Sequence, residues 1–516
     1  MEKRNSLRTK ETLKNSIYAI LSYLMLGVTT IFVRKLFVQY LPLEFLGYEG
    51  LFGNIFSLFS LADLGIGTLI TYRLYPVFAS GDKEKIAKLI NMYKYVLRIV
   101  GFAVLLIGSA LVPFLHFIIK DNSLDWQYIY FVYMMRLLTT LCTYFLAYKR
   151  LLYTVDQCEY DCVKVDTICT FIAQIVNIAA ILLFKNYILY LFVNVLSNIA
   201  SNCIVAIKAR EKYDYINRKV KICRRELMQE GFWKDMKNYL VQKLSGLIYG
   251  STDNIIISSV LGIKSVALLE NYSLATGYIN TVFNKIMNPF QASIANFVHS
   301  KDTNRSEELF RMFDLAGFML AVFICVSYYI LLNPLMEIWL GVNYVIEFSY
   351  VVAFVLNQYI AWNHKFLTYY RYSFGKYELD RNYILAGAIL NVVISVLLAK
   401  TMGFAGIMFG TAVGNMGFWI GRAKVVYSEY LKENIKYYIF RQIRNFVLLI
   451  LQLLFMQFIC YYISSGILGF VIKLCLCLIV PNFINLIVFY KTKEMKMALQ
   501  YIRNINKIVK NEIVKK

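Results

Sequence analysis

The residues best suited to chemistry in this chain of 516 residues sit inside its most apolar stretches. Asn194, Ser197, Asn198, Ser201 and Asn202 recur at i, i+3, i+4, i+7 and i+8, so on a helix they form one stripe of hydrogen-bonding groups. Neighbouring apolar runs add Thr170, Gln174 and Asn177, and Arg136 with Thr139, Thr140 and Thr143 on one face. Lipid offers such groups no partner. The stripes therefore face either other helices, for roughly 0.6 to 2 kcal/mol per contact, or a wetted cavity. Arg136 lies near the middle of its run, where a cation costs about 2.5 to 3.5 kcal/mol on insertion scales, so an interior, hydrated place is expected for it. A further stripe, Lys243, Gly246, Gly250 and Asp253, must also point inward. At about 1.5 Å per residue Lys243 and Asp253 stand some 15 Å apart, too far to pair. Lys243 either reaches the interior or snorkels to the interface, while Asp253, lying deeper, is expected to act in function or in lobe organisation. Arg34 and Lys35 end the first apolar run, facing either an outer vestibule or the interface.

The elements that position these groups follow from composition. Apolar residues make up 59% of the chain and charged residues 17%, and a membrane span needs about 20 apolar residues. The supply matches about fourteen spans, so the expected fold is an all-α polytopic membrane protein. Apolar runs fall at 16–38, 44–71, 95–119, 126–148, 165–184 and 187–207, then at 238–261, 266–290, 313–335, 345–364, 382–399 and 402–421, and finally at 440–463 and 466–490. This predicts an N-terminal lobe over 1–207, a basic cytoplasmic linker over 208–237, a C-terminal lobe over 238–424, two extra helices within 425–491 and a basic tail over 492–516. At an offset of 220 the two six-span halves share their layout, with Leu41 on Leu261 and Asp82 on Asp302. Such parallel repeats occur in one class of secondary transporters, with substrate between the lobes.

The net charge of +23 does not indicate a nucleic-acid partner, because Lys and Arg lie between apolar runs and form no separate basic domain. They favour alternate loops. Only Arg34, Lys35, Lys120, Lys185, Lys264 and Lys400 fall on the other side, which by the positive-inside rule places both termini in the cytoplasm. The first apolar run is too long for a signal-peptide core and is expected to be a retained span. Ten cysteines without framework spacing, and only His116, His299 and His364, favour neither disulfides nor a metal site. No catalytic constellation, Walker A sequence or cofactor motif occurs, so the chain is expected not to be an enzyme and to need no cofactor. Short outer loops count against a membrane-embedded polysaccharide polymerase or ligase. The glycines from Gly403 to Gly421 mark a closely packed helix face.

Two segments resemble a known family. The segment opening at Gly47 carries DLGIG at Asp63 to Gly67 and then a tyrosine-rich basic loop, and STDNIIISSVLG runs from Ser251 to Gly262 with Asp253 ahead of the apolar stretch. These patterns are similar to those of Wzx-type polysaccharide and oligosaccharide flippases of the multidrug/oligosaccharidyl-lipid/polysaccharide (MOP) exporter superfamily. The resemblance covers nearly the whole chain in layout. It implies two MATE-like six-helix lobes plus two C-terminal helices in a bacterial plasma membrane. It further implies translocation of a lipid-diphosphate-linked oligosaccharide, a repeat unit for O-antigen, capsule or another surface polymer, by alternating access. Glycosyltransferases and a polymerase would be its functional partners. On that reading Arg136 and Lys243 are expected to hold phosphate, and Gln174, Asn194 and Asn198 to contact sugar, with Asn177, Thr140, Asp253 and Arg34 completing the candidate site. The alternative within the superfamily is a cation-coupled multidrug exporter, whose buried carboxylates would come from Glu49, Asp63, Asp253 and Glu270.

Overall fold

The computed structural model describes residues 2–59, 66–121, 123–217, 251–298, 303–373, 379–500 and 503, and every described element is helical. The chain divides into two compact units, Met1–Glu270 and Asn271–Lys516. Among the described residues nine segments are long and apolar enough to cross a membrane. Their outer faces carry exposed apolar side chains such as Leu106, Leu183 and Phe455, which in a membrane protein meet acyl chains. The chain is a multi-pass membrane protein.

The first unit contains α1 (Glu2–Tyr40), α2 (Glu44–Phe59), α3 (Ile66–Ser80), α4 (Lys83–Ala110), α5 (Trp126–Leu146), the short α6 (Arg150–Val155), α7 (Glu159–Ala179) and α8 (Tyr187–Lys212). It continues through α9 over 251–261 and the first turns of α10 (Ile263–Val298). Local signals set several of these starts. Asp82 accepts from the Lys85 backbone N at 3.0 Å to open α4, and Asn186 accepts from the Leu189 N at 3.1 Å to open α8; such caps stabilise by about 1 kcal/mol each. The core of the unit is aromatic: Phe45 stacks on Tyr187 with centroids 4.1 Å apart, and Tyr48, Leu51 and Phe52 are fully buried on α2. Two glycines let α2 lie directly on α10. A Cβ at Gly47 would overlap the Ile263 carbonyl, and one at Gly50 would stand 2.5 Å from Glu270 Cγ.

The second unit holds the rest of α10, then α11 (Thr303–Leu340), α12 (Phe348–Asn363), α13 (Lys365–Ser373), α14 (Arg381–Val425), α15 (Ile435–Tyr461) and α16 (Ile467–Phe489). The run of helix in α14 is broken at Gly403, whose φ of +56° and ψ of −132° fold it back into two limbs; such a backbone conformation suits glycine. The limbs touch backbone to backbone. A Cβ on Gly387 would meet the Gly414 carbonyl at 2.6 Å, and one on Gly410 the Ser395 N at 2.5 Å. The glycine face expected between Gly403 and Gly421 is thus the packing face of a helical hairpin. Several polar side chains inside the unit meet one another: Arg371 and Asp380 at 2.5 Å, Asp314 and Arg441 at 2.9 Å, and Gln452 and Asn485 at 2.8 Å.

Several expected runs end within a few residues of helices, namely 126–148, 345–364, the limbs at 382–399 and 402–421, and 466–490, whereas 44–71 falls on two helices, α2 and α3, and 95–119 is shifted from α4, which starts at Lys83 and ends at Ala110. The expected linker 208–237 falls largely outside the described residues, as do Asp63 and Lys243.

Candidate functional site

Three helices of the first unit each contribute a row of residues to one cavity of about 550 Å³. Thr30, Val33, Arg34 and Phe37 come from α1 at helical spacing. Asp166, Thr170, Gln174 and Asn177 come from α7, and Tyr190, Asn194, Asn198 and Asn202 from α8. Thr143 near the end of α5 and Arg150 at the start of α6 close the remaining side. The reason is periodicity: hydrogen-bonding groups three and four residues apart stack on one face, and the opposite face of each helix is apolar. Ile168, Ile172 and Ile175 of α7 are exposed on that other side.

Within the cavity, side chains bridge the helices. The Gln174 Nε2 donates to Thr30 Oγ1 at 2.7 Å, joining α7 to α1. The Asn177 Nδ2 donates to Asn194 Oδ1 at 2.8 Å, joining α7 to α8, and Thr143 Oγ1 donates to Asn198 Oδ1 at 3.4 Å. Gln174 Oε1 and Asn177 Oδ1 are buried acceptors with no partner among the described residues. Orphaned acceptors of this kind cost about 1 to 3 kcal/mol unless a ligand or water donates to them.

The cations of the cavity are Arg34 and Arg150. Arg34 is half-buried and makes no hydrogen bond or ion pair among the described residues. Arg150 is held in a fork by Asp166, at 2.8 and 2.7 Å. It also donates to Asn202 Oδ1 at 3.0 Å and Ser201 Oγ at 3.0 Å, while Ser201 donates to the same carboxylate. This is the bidentate geometry that guanidinium groups also offer phosphate.

Of the residues expected from the sequence, Arg34, Gln174, Asn177, Asn194 and Asn198 are brought together in this cavity. Arg136 is elsewhere. Expected to be an unpaired intramembrane cation, it instead meets Glu49 of α2 at 3.2 Å and is not among the cavity-lining residues. The physical reason is that a buried cation in a low-dielectric interior recruits a carboxylate, here from a helix remote in sequence. Thr140 donates to the Arg136 carbonyl at 3.1 Å within its own helix and does not line the cavity. Asp253 is half-buried on α9. Lys243 lies outside the described residues.

Arg150 and Asp166 are the charged cavity residues not singled out from the sequence, and Thr30, Phe37 and Tyr190 are further lining residues not named from it. Each of the two charged residues falls in or beside what reads as a loop between spans, where charges are ordinarily solvated. The available signal was the continuation of the α8 stripe to Ser201 and Asn202, which extends the polar face to the depth of that loop.

Glu270, at the last position of the first unit, accepts from Asn254 Nδ2 at 2.6 Å beside Gly50. Glu49, for its part, is paired with Arg136. Neither is a free carboxylate.

No family model matches the chain, and no curated protein matches it in sequence. Solved structures do. The chain is similar to a structure of the lipid II flippase MurJ in an inward closed conformation, with a TM-score of 0.66 at 14% identity over 92% of this chain and 98% of that one. It is also similar to an inward-facing multidrug resistance MATE family transporter of the MOP superfamily, with a TM-score of 0.53 at 14% identity over 78% of this chain and 98% of that one. A third is the MATE transporter VcmN of Vibrio cholerae in a point-mutant form, with a TM-score of 0.51 at 15% identity over 83% and 98% of the two chains. The fold is therefore that of the MurJ and MATE transporters.

Proposed function

We propose that this protein carries the headgroup of a lipid-diphosphate-linked oligosaccharide from the cytoplasmic to the outer leaflet of a bacterial plasma membrane by alternating access, with both termini cytoplasmic. The observation that carries the reading is the cavity of about 550 Å³ that joins Arg34, whose guanidinium makes no salt bridge among the described residues and acts on Glu270 only at a distance, to a wall of amides and hydroxyls. Its size is that of a small-molecule site, so it fits the membrane-proximal diphosphate and first sugar of such a headgroup. Arg34 supplies charge for phosphate. Arg150 supplies a second guanidinium already shaped for a bidentate anion. Gln174, Asn177, Asn194 and Asn198 supply donors and acceptors in the mixture that sugar hydroxyls require. Arg136, tied to Glu49, acts one layer behind the wall as a fixed counter-charge and not as a direct ligand. Glycosyltransferases that build the lipid-linked glycan and a polymerase that consumes it are the partners this reaction needs.

Transport of organic cations, as by a multidrug exporter, is the competing reading. A cavity whose ion-pair-free charge is Arg34 disfavours it, because a cationic cargo would face a like charge.

The test is reconstitution in vesicles with a fluorescent lipid-diphosphate disaccharide placed in one leaflet, followed by its accessibility to an external quencher. Wild-type protein should equilibrate the lipid across the bilayer, and Arg34→Ala should slow that exchange at least tenfold with unchanged folding. Full exchange by Arg34→Ala, or none by the wild type alongside efflux of a cationic dye, overturns the reading.

A further inference from the structure

The second unit contains a basic site that the transport reading does not use. A cavity of about 510 Å³ opens between α11 and the first turns of α15, lined by Arg311, Arg441 and Arg444 with the aromatic rings of Tyr437 and Phe440. Two of the arginines are partly committed. Arg441 Nε lies 2.9 Å from the buried Asp314 and its Nη2 donates to Tyr427 Oη at 3.2 Å; Arg311 pairs with Glu307 in its own helix and stands 3.7 Å from Glu433. Arg444 differs. It donates to Asn445 Oδ1 at 3.0 Å and lies 5.2 Å above the Phe489 ring, with no carboxylate at ion-pair distance among the described residues.

The surroundings of Arg444 are not those of a guanidinium in bulk water. Phe440, 77% exposed, precedes it by one turn, and Val447, Leu451, Leu454 and Phe458 continue the same face of α15 at steps of three and four residues, all exposed. Such a row is where acyl chains lie. Exposed Tyr437 sits one turn further toward the helix start, the level at which aromatic rings mark the interface. Phosphate height is thus occupied by guanidinium groups, and the hydrocarbon level directly below by an open apolar row.

We propose that this cavity is a docking site for an anionic glycerophospholipid of the surrounding leaflet, with its phosphate on Arg444 and Arg441 and one acyl chain along the face running from Phe440 to Phe458. Three arginines against the single lining carboxylate of Glu433 select an anionic headgroup over a zwitterionic one, as basic pockets between membrane helices do. The site is independent of the α1–α8 cavity and of the cargo proposed for it.

Native mass spectrometry of the full chain released from detergent tests this, after titration with phosphatidylglycerol or phosphatidylcholine of the same acyl composition. Phosphatidylglycerol should be retained preferentially, and Arg444→Gln should reduce its retention about fivefold, the loss of one cation at an anionic headgroup. In the wild type, where folding is not in question, vesicle pull-down should show the preference fading between 0.05 and 0.5 M salt, roughly a change from a 14 Å to a 4 Å screening length. Equal retention of the two lipids, a preference unaffected by Arg444→Gln or by salt, or a preference lost only in Arg34→Ala overturns the proposal. So does displacement of phosphatidylglycerol by a stoichiometric polyprenyl diphosphate, which would assign the site to the transported lipid.

Discussion

Glu49 on α2 and Arg136 on α5 meet at 3.2 Å inside the first unit, and this pair sits behind the polar cavity instead of on its wall. Its role is consequently to hold two helices in register while the groups facing the cavity stay free for a ligand. Glu49→Gln removes the carboxylate in contact with the partly buried Arg136 and leaves only the more distant Glu270 facing it, a loss below the roughly 3 to 5 kcal/mol of a fully buried broken pair. A fluorescence-detected thermal melt in detergent should register a clear drop, and Glu49→Gln combined with Arg136→Met should recover most of it. An unchanged melt in the single variant would show the pair to be dispensable.

Arg150 and Asp166 give a prediction with opposite signs for the two partners. Asp166 competes with any anion for the Arg150 fork. Asp166→Asn should tighten binding of a soluble diphosphate–sugar headgroup, read by isothermal titration, whereas Arg150→Ala should weaken it by about 1.5 to 3 kcal/mol, the usual worth of a hydrogen bond to a charged group. Parallel losses in both variants would mean that the pair serves structure alone.

Glycine contacts make the close approaches sensitive to single methyl groups. Gly410→Ala would press a Cβ to 2.5 Å from the Ser395 backbone N, where nothing can yield without moving a limb of α14. Overpacking of this kind costs about 1 to 3 kcal/mol. Gly53→Ala on α2, where a Cβ meets nothing within 4 Å, should be neutral or slightly stabilising by helix propensity. The contrast is read from melting temperatures of the two variants side by side.

The loop carrying Glu433 predicts a pH effect. A hydrogen bond shared with Glu307 pushes the Glu433 carboxyl up from 4.5 to about 7, assisted by burial and by the Glu307 charge, and offset in part by Arg311. Because the folded-state value is raised, the stabilisation is fully present below about pH 4.5 and is lost as pH rises through about 7. Melts taken between pH 5 and pH 8 should therefore show a decline that Glu433→Gln removes. A decline of equal size in that variant would assign the effect to another group.

The helical class and the polar stripes were readable in the sequence because both arise from local patterning under one strong constraint, that lipid satisfies no polar group, whereas helix ends such as those of α4 and α11 run past the apolar runs into polar residues that hydropathy does not mark. The grouping of Arg34, Gln174, Asn177, Asn194 and Asn198 follows from that constraint, since each stripe has to find the others. Pairing was not readable. Glu49 and Arg136 lie on different helices, and nothing in either run says which carboxylate reaches which cation. Arg150 escaped notice for a related reason: a cation just beyond an apolar run reads as solvated, and only the folded positions of Asp166, Ser201 and Asn202 bring it inside. The doubling-back of α14 at Gly403 was visible as two runs, 382–399 and 402–421, and its glycines announced tight packing, while the partner face, Gly387, Asn391 and Ser395, belongs to the preceding limb.

That hairpin has a mechanical implication. With the glycines of the limbs in close contact from Tyr383 to Gly421, and Asn391 donating to Thr411 and Ser395 to the Ile407 carbonyl across the seam, the limbs can neither splay nor slide without breaking packing and hydrogen bonds along their whole length. Spin labels at Leu390 and Phe409, exposed on the two limbs, should keep one sharp separation through every stage of a working cycle, giving a ruler fixed to the protein against which the travel of other segments can be measured.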